Sequence, residues 1–126
     1  MNEQVRRALA HPGLIDITTV GRRTGQPRRI EIVYHVFDGR IYISGMPRAE
    51  RRRSWLANLE AEPRMTIHLK NGPVADVPAT ARIITEPEER RAVMARIIET
   101  AWRDQDLEQM VAHSPLIEVT VPAIAA

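Results

Sequence analysis

Period-two alternation cut by tight turns is the feature that most restricts the fold of this chain. From Arg28 to Phe37, Ile30, Ile32, Tyr34 and Val36 point one way and Arg29, Glu31, Val33 and His35 the other. That is the pattern of an extended strand with two unlike faces. Leu14 to Val20, rich in β-branched residues, reads as the strand before it. Gly21 to Gln26 is the turn between them, and Gly25 supplies the positive φ such a turn needs. Asp38-Gly39 is a strong hairpin signal, followed by a return strand from Arg40 to Ser44.

The remainder repeats this grammar with helices added. Asn2 to Ala10 reads as a short helix capped by Asn2, with Val5 and Leu9 on its buried side. A helix from about Arg51 to Ala61 carries Trp55, Leu56 and Leu59 inward, and Pro63 stops it. Met65, Ile67 and Leu69 alternate with Arg64, Thr66, His68 and Lys70, and Asn71-Gly72 turns that strand back into Val74 to Ile84. Pro78 in the return strand implies an edge or a bulge. Thr85-Glu86-Pro87-Glu88 fits a capping box, opening a helix with Val93, Met94, Ile97, Ile98 and Ala101 on one stripe and an end near Arg103. Asp104 to Ala112 is a further short helix, and Leu116 to Val121 a last strand.

Six strands joined mostly as hairpins, with three or four helices, are too few helices for a parallel sheet. The expected architecture is α+β: a six-stranded, mostly antiparallel β-barrel flanked by helices. With 126 residues, the chain is expected to be a single domain.

Composition narrows the function. There is no cysteine, so disulfides, thiolate metal sites and cysteine nucleophiles are absent. No apolar run is long enough to span a membrane, and the N-terminus lacks a secretory signal; the expectation is a cytoplasmic protein without an integral membrane segment. Aromatics are 4% and the net charge only +2, which argues against nucleic acid as a partner. His11, His35, His68 and His113 have no metal-ligand spacing, so no metal is expected; His35 and His68 lie on strands where they can meet across a sheet, although surface or satisfied core roles fit them better. No Ser-His-Asp pattern, Gly-x-Ser-x-Gly elbow, Walker loop or dinucleotide fingerprint is present.

Positive charge, by contrast, is concentrated. Eight of the 18 Lys+Arg are Arg22, Arg23, Arg28 and Arg29 on the first turn and Arg48, Arg51, Arg52 and Arg53 before the Trp55 helix. Arginines beside a glycine-containing turn, with backbone N–H groups able to point outward, suit an anion; a solvated basic loop is the plain alternative. Arginines at a helix N-terminus oppose its dipole, a cost that a bound anion reverses. Trp55 suits either the core or the edge of a site. Asn58 lies one turn further on the same face and can bond a ligand. With no evident acid, base or nucleophile, an enzyme of this kind takes its chemistry from a cofactor.

The succession Thr18-Thr19-Val20-Gly21-Arg22-Arg23-Thr24-Gly25-Gln26-Pro27-Arg28 resembles the opening motif of the deazaflavin-dependent nitroreductases. These belong to the flavin/deazaflavin oxidoreductase superfamily, with the split barrel of pyridoxamine-phosphate-oxidase-like proteins. Asp38-Gly39-Arg40-Ile41-Tyr42-Ile43 is similar to the central hairpin of the family. Trp55-Leu56-Ala57-Asn58-Leu59, running on through Glu62-Pro63 to Thr66, is similar to its helix-to-strand signature.

The resemblance implies 8-hydroxy-5-deazaflavin (coenzyme F-420) as cofactor and hydride transfer to a small organic acceptor such as a quinone or nitro compound. It assigns the cofactor tail and phosphate to Arg22, Arg23 and Arg28. The ring faces the backbone of Glu31 and Ile32, and the loop Ser44, Gly45 and Met46 binds phosphate and ring. The rest of the groove is Arg53, Ser54, Trp55 and Asn58; no catalytic residue is implied. Glu31 replaces a frequent proline, and Trp102 is the only aromatic where the family has pocket tyrosines. By analogy the protein is a homodimer. The alternatives are an FMN-binding flavin reductase and a non-catalytic binding protein for a cofactor or apolar ligand on the same barrel.

Overall fold

The computed structural model describes residues 1–48 and 53–125. Its strands are β1 (Gly13–Val20), β2 (Pro27–Phe37), β3 (Arg40–Ser44), β4 (Arg64–Leu69), β5 (Ala75–Ile83) and β6 (Leu116–Thr120). They close into a barrel in the order β1-β2-β3-β6-β5-β4, and β1 meets β4 at the seam with Ile17 opposite Ile67. All six pairings are antiparallel. Helices α1 (Glu3–Leu9), α2 (Ser54–Ala61), α3 (Pro87–Thr100) and α4 (Leu107–His113) flank the barrel, and a four-residue helix, α5 (Pro122–Ala125), follows β6. The α+β barrel class read from the sequence is therefore the one observed; α5 is additional to the reading.

The alternation does what a barrel requires. Inward residues Ile15, Ile17, Tyr34, Ile43, Ile67, Val77 and Ile117 fill the interior, each no more than 4% exposed. Burying a side chain of this size contributes about 2 kcal/mol, so the phase of each strand is strongly fixed. Between β2 and β3, Asp38 (φ 55°) and Gly39 (φ 77°) both sit in the left-handed region, as a primed hairpin turn demands.

The two ends of the barrel are closed differently. Val5 and Leu9 of α1 join the interior core, and the Tyr34 hydroxyl donates to the Ala8 carbonyl (2.5 Å) near the start of β1. Trp55, Leu56 and Leu59 of α2 join it near the end of β1, where Asn58 donates to Thr19 (3.1 Å). A second core lies outside the barrel wall, where Tyr42 and Leu116 meet Val93, Met94 and Ile97 of α3 and Met110 of α4. Arg90 fastens this layer by donating to the carbonyls of Ile84 (2.9 Å), Val111 (2.8 Å) and Ser114 (2.7 Å).

Several local expectations shift. The α3 cap is Glu86, not Thr85: its carboxylate accepts from the N–H groups of Glu88 and Glu89, and Pro87 takes the first helical position. A carboxylate at the helix start also suits the dipole. The α3 helix stops at Thr100 rather than near Arg103, and α4 starts at Leu107 with Asp106 as its cap. Asn71-Gly72 lies in a five-residue connection, 70–74, since Leu69 is opposite Ala75. Pro78 pairs with Thr66 of β4, but β6 pairs with β5 only from Thr80 onward, so the proline occupies a local edge in a closed barrel. His35 and His68 do not meet, because β1 stands between their strands.

Candidate functional site

The basic turn and the α2 start face one another. A cavity of about 550 Å³ lies between them, lined by Thr19, Arg22, Arg23, Thr24, Arg28 and Ile30 on one side and Ser54, Trp55 and Asn58 on the other. Gly21, Pro27 and Arg29 complete its wall.

The turn is built from its own backbone. Gly21 N–H donates to the Gln26 carbonyl and Gly25 N–H to the Gly21 carbonyl, both at 2.8 Å. A Cβ at Gly21 would lie 2.9 Å from the Gln26 carbonyl oxygen, so only glycine lets the strands close here. Gln26 N–H donates to Thr24 Oγ1 (3.2 Å) and Arg22 N–H to Asn58 Oδ1 (3.1 Å). The expectation of outward backbone donors is thus reduced to the N–H groups of Arg23 and Thr24, the two in the turn without a partner among the described residues.

Asn58 is the link between turn and helix. It is 3% exposed. Its Oδ1 accepts from both the backbone N–H and Nη1 of Arg22 (3.1 and 3.0 Å), and its Nδ2 donates to Thr19 Oγ1 (3.1 Å). A carboxamide is needed for this, since the same side chain must accept twice and donate once. The Asn58 read as a ligand contact is therefore occupied in holding Arg22 in place. Thr19, missed by the sequence reading as a site residue, carried a signal: a polar residue in phase with Ile15 and Ile17 on the inner face of β1.

Arg22, Arg23 and Arg28 have no carboxylate partner among the described residues, whereas nearby Arg29 is paired with Asp16 (3.0 Å). Three unneutralised guanidinium groups on one turn, opposite a buried indole and the partly buried Ile30, fit a ligand with an extended anionic portion and a planar apolar portion.

The other residues singled out from the sequence do not line the cavity. Glu31 faces the outer wall, where Lys70 donates to its Oε2; its charge is turned away from the groove and neutralised. Ile32 is partly buried beside the interior core. Ser44 is buried, and its hydroxyl donates to the Pro115 carbonyl (2.6 Å). Gly45 and Met46 are tied to α2 through Arg53, whose Nη2 donates to the Met46 carbonyl (2.6 Å) while the guanidinium lies against Gly45. Burial, with Arg48 nearby, lowers the Arg53 pKa. Arg53 is itself the α2 N-cap, without a side-chain capping bond. Arg51 and Arg52, read as part of the same helix start, lie outside the described residues.

Residues 2–123 match the F420H(2)-dependent quinone reductase family. The chain belongs to that family. Its reductant is the reduced form of coenzyme F-420, the cofactor expected from the sequence, and its members are oxidoreductases. Among solved structures, the chain is similar to a conserved hypothetical protein of Mycobacterium tuberculosis, Rv2991 (22% identity, 96% of this chain and 81% of that one, TM-score 0.69). It is similar to an F420-H2 dependent reductase, FDR-A (21%, 85% and 93%, TM-score 0.64). It is also similar to a protein solved as a domain-swapped dimer (20%, 94% and 95%, TM-score 0.63). At these identities the likeness is one of fold.

Proposed function

We propose that this member of the family binds reduced coenzyme F-420 in the cavity between the basic turn and α2 and reduces a quinone-class acceptor. The observation that carries the reading is the set of three arginines without a carboxylate partner among the described residues, Arg22, Arg23 and Arg28, on one side of a cavity whose other side is Trp55. They would hold the anionic tail and phosphate. Trp55 and Ile30 would provide the apolar wall and exclude water from it. Ser54, at the exposed lip, would contribute a hydroxyl. The backbone of Glu31 and Ile32 and the loop Ser44 to Met46, held by Arg53, are assigned to the ring side beyond the cavity lining.

When bound, the reduced deazaflavin supplies the hydride; the residues of the chain need only position donor and acceptor. Coenzyme F-420 is favoured over FMN because FMN ends in one phosphate, too little anion for three guanidinium groups.

The test is a fluorescence titration of the pure protein with coenzyme F-420 and with FMN, then oxidation of the reduced complex by menadione and by a nitroaromatic. Tighter binding of coenzyme F-420, weakened about tenfold (roughly 1.4 kcal/mol) in each of Arg23→Ala and Arg28→Ala, with turnover by menadione, is expected. Equal or tighter FMN binding, or unchanged affinity in both variants, would overturn it. A carrier without turnover is the second reading. It is favoured by Trp102, the only aromatic of the C-terminal segment, being packed edge-on against His35 (4.9 Å between centroids); binding without oxidation by any acceptor would select it. The homodimer and the cytoplasmic location stay part of the proposal, the first supported by the domain-swapped fold neighbour and checked by sedimentation.

A further inference from the structure

The outer wall of the barrel carries a second arrangement of reactive groups, whose cavity adjoins the arginine groove and shares Thr19 and Pro27 with it. His68, on β4, uses both ring nitrogens: Nε2 lies 2.6 Å from Thr18 Oγ1 on β1, and Nδ1 lies 2.7 Å from Asp76 Oδ1 on β5. Hydroxyl, imidazole and carboxylate thus stand in line across three adjacent strands. The register explains how. The residues directly opposite His68 are Asp16 on one side and Asp76 on the other. Asp16 is taken by Lys70 (2.7 Å) and Arg29 (3.0 Å), and hydrogen bonds from these cations hold its pKa below the usual carboxylate value. The imidazole turns instead to the diagonal neighbour, Thr18.

An ionised Asp76 can only accept, so Nδ1–H donates to it, and the tautomer protonated at Nδ1 alone presents the Nε2 lone pair to the Thr18 hydroxyl. That is the tautomer a general base for an alcohol nucleophile requires. Thr18 also opens onto space: it lines a cavity of about 270 Å³ with Val20, Pro27, Arg64, Met65 and Thr66. Arg64, bound to Glu62 through Nε and Nη2 (3.0 and 2.5 Å), has its Nη1 donors left over among the described residues. The Arg64 guanidinium and the Thr66 hydroxyl are the donors in this cavity that a developing oxyanion can use.

We propose that Thr18, His68 and Asp76 form a cofactor-independent site that hydrolyses small carboxylic esters. Thr18 Oγ1 bonds to the acyl carbon while its proton passes to His68 Nε2. The ester C–O bond breaks, and the departing alkoxide takes the proton from Nε2. Water then attacks the acyl-threonine, giving a proton to Nε2, and the carboxylic acid departs as Thr18 recovers that proton. Thr18 and His68 are the catalytic residues; Asp76 positions the ring. The volume of the cavity restricts the acyl group to a short chain.

The experiment uses the full chain without cofactor and p-nitrophenyl acetate as probe. The expected result is hydrolysis reduced about 100-fold in Thr18→Val and in His68→Gln, retained in Thr18→Ser, and reduced in Asp76→Asn with partial recovery in Asp76→Glu. Mass spectrometry after a brief reaction should place an acetyl group on Thr18. Thr18→Ser keeps the fold in either case, so acetylation absent from position 18 in both the wild type and Thr18→Ser overturns the proposal. So does a Thr18→Val protein that melts like wild type and hydrolyses the ester equally fast. Neither result bears on the reductase reading, because no cofactor is present.

Discussion

Replacing Asn58 with leucine, which has the same branched arrangement of side-chain heavy atoms, tests the link between the basic turn and α2. The substitution removes three hydrogen bonds and leaves the Arg22 N–H and the Thr19 hydroxyl facing an apolar group; Thr19 is 1% exposed. At about 1 kcal/mol per bond, and more where a buried group is stranded, the loss is about 3 kcal/mol. For a domain of this size that lowers the melting temperature by roughly 10 °C. Asn58→Asp separates stability from function. The carboxylate keeps the two acceptor bonds to Arg22 and the Thr19 hydroxyl can rotate to donate, so the fold should lose less than about 1 kcal/mol. Its charge, however, neutralises Arg22, and affinity for coenzyme F-420 should fall roughly tenfold. The assays are thermal melts followed by circular dichroism and a fluorescence titration of the cofactor. An Asn58→Leu protein that melts within a degree or two of wild type would refute the role given to this residue. An Asn58→Asp protein with undiminished affinity would refute the claim that the free charge of Arg22 matters.

Burial pushes the His35 imidazole down to about 4, and its Nε2 has no partner among the described residues. An unfolded chain binds that proton near pH 6.5 and the folded one does not, so this contribution is full above pH 6.5 and lost as pH falls toward 4, about 3 kcal/mol in all; urea denaturation at pH 7.5 and pH 4.5 should show it, and His35→Phe should flatten it. Arg90→Met removes the guanidinium bonds to the carbonyls around α4 and should cost about 3 kcal/mol, while Arg90→Lys should recover little, a single ammonium being unable to span those acceptors; chemical denaturation of both decides. Gly21→Ala forces a Cβ onto the Gln26 carbonyl at 2.9 Å and should cost about 2 kcal/mol with loss of cofactor affinity. Gly45→Ala meets only the movable end of Arg53 and should leave the melt within about 1 kcal/mol of wild type.

The barrel could be read from the sequence because alternation, turn chemistry and burial agree residue by residue: Asp38-Gly39 demanded a primed turn, and Ile30 to Val36 demanded one inner face. The meeting of the basic turn with α2 was suggested by the grouping of arginines on both pieces, which a shared anionic ligand would reconcile. What could not be read was the assignment of polar bonds across strands. That Glu31 is held by Lys70 depends on β4 lying beside β1, and that Asn58 holds Arg22 depends on the docking of α2 near the end of β1. The His68 relay is invisible for the same reason: Thr18, His68 and Asp76 become neighbours only when β1, β4 and β5 are adjacent, an order that loop lengths do not dictate. The shift of the α3 cap from Thr85 to Glu86 is a matter of one residue of phase, decided by Pro87 fitting the first helical position.

The distribution of ion pairs bears on why the groove is charged at all. Away from it, several arginines of the outer surface find acids: Arg82 holds Glu89 and Glu118, Arg91 holds Glu108, and Arg96 holds Asp38. Lys70 holds both Asp16 and Glu31. These exposed pairs add little to stability individually, but they absorb acids that would otherwise be free to compete for the turn. At the turn itself the chain places a neutral carboxamide where an aspartate would bind Arg22 more tightly. Asn58 thereby fixes the geometry of the cation without cancelling its charge. On the proposed reading, an anionic ligand would neutralise the three arginines and stabilise the fold in one step, which is why the tail of the ligand, rather than its ring, should dominate affinity here.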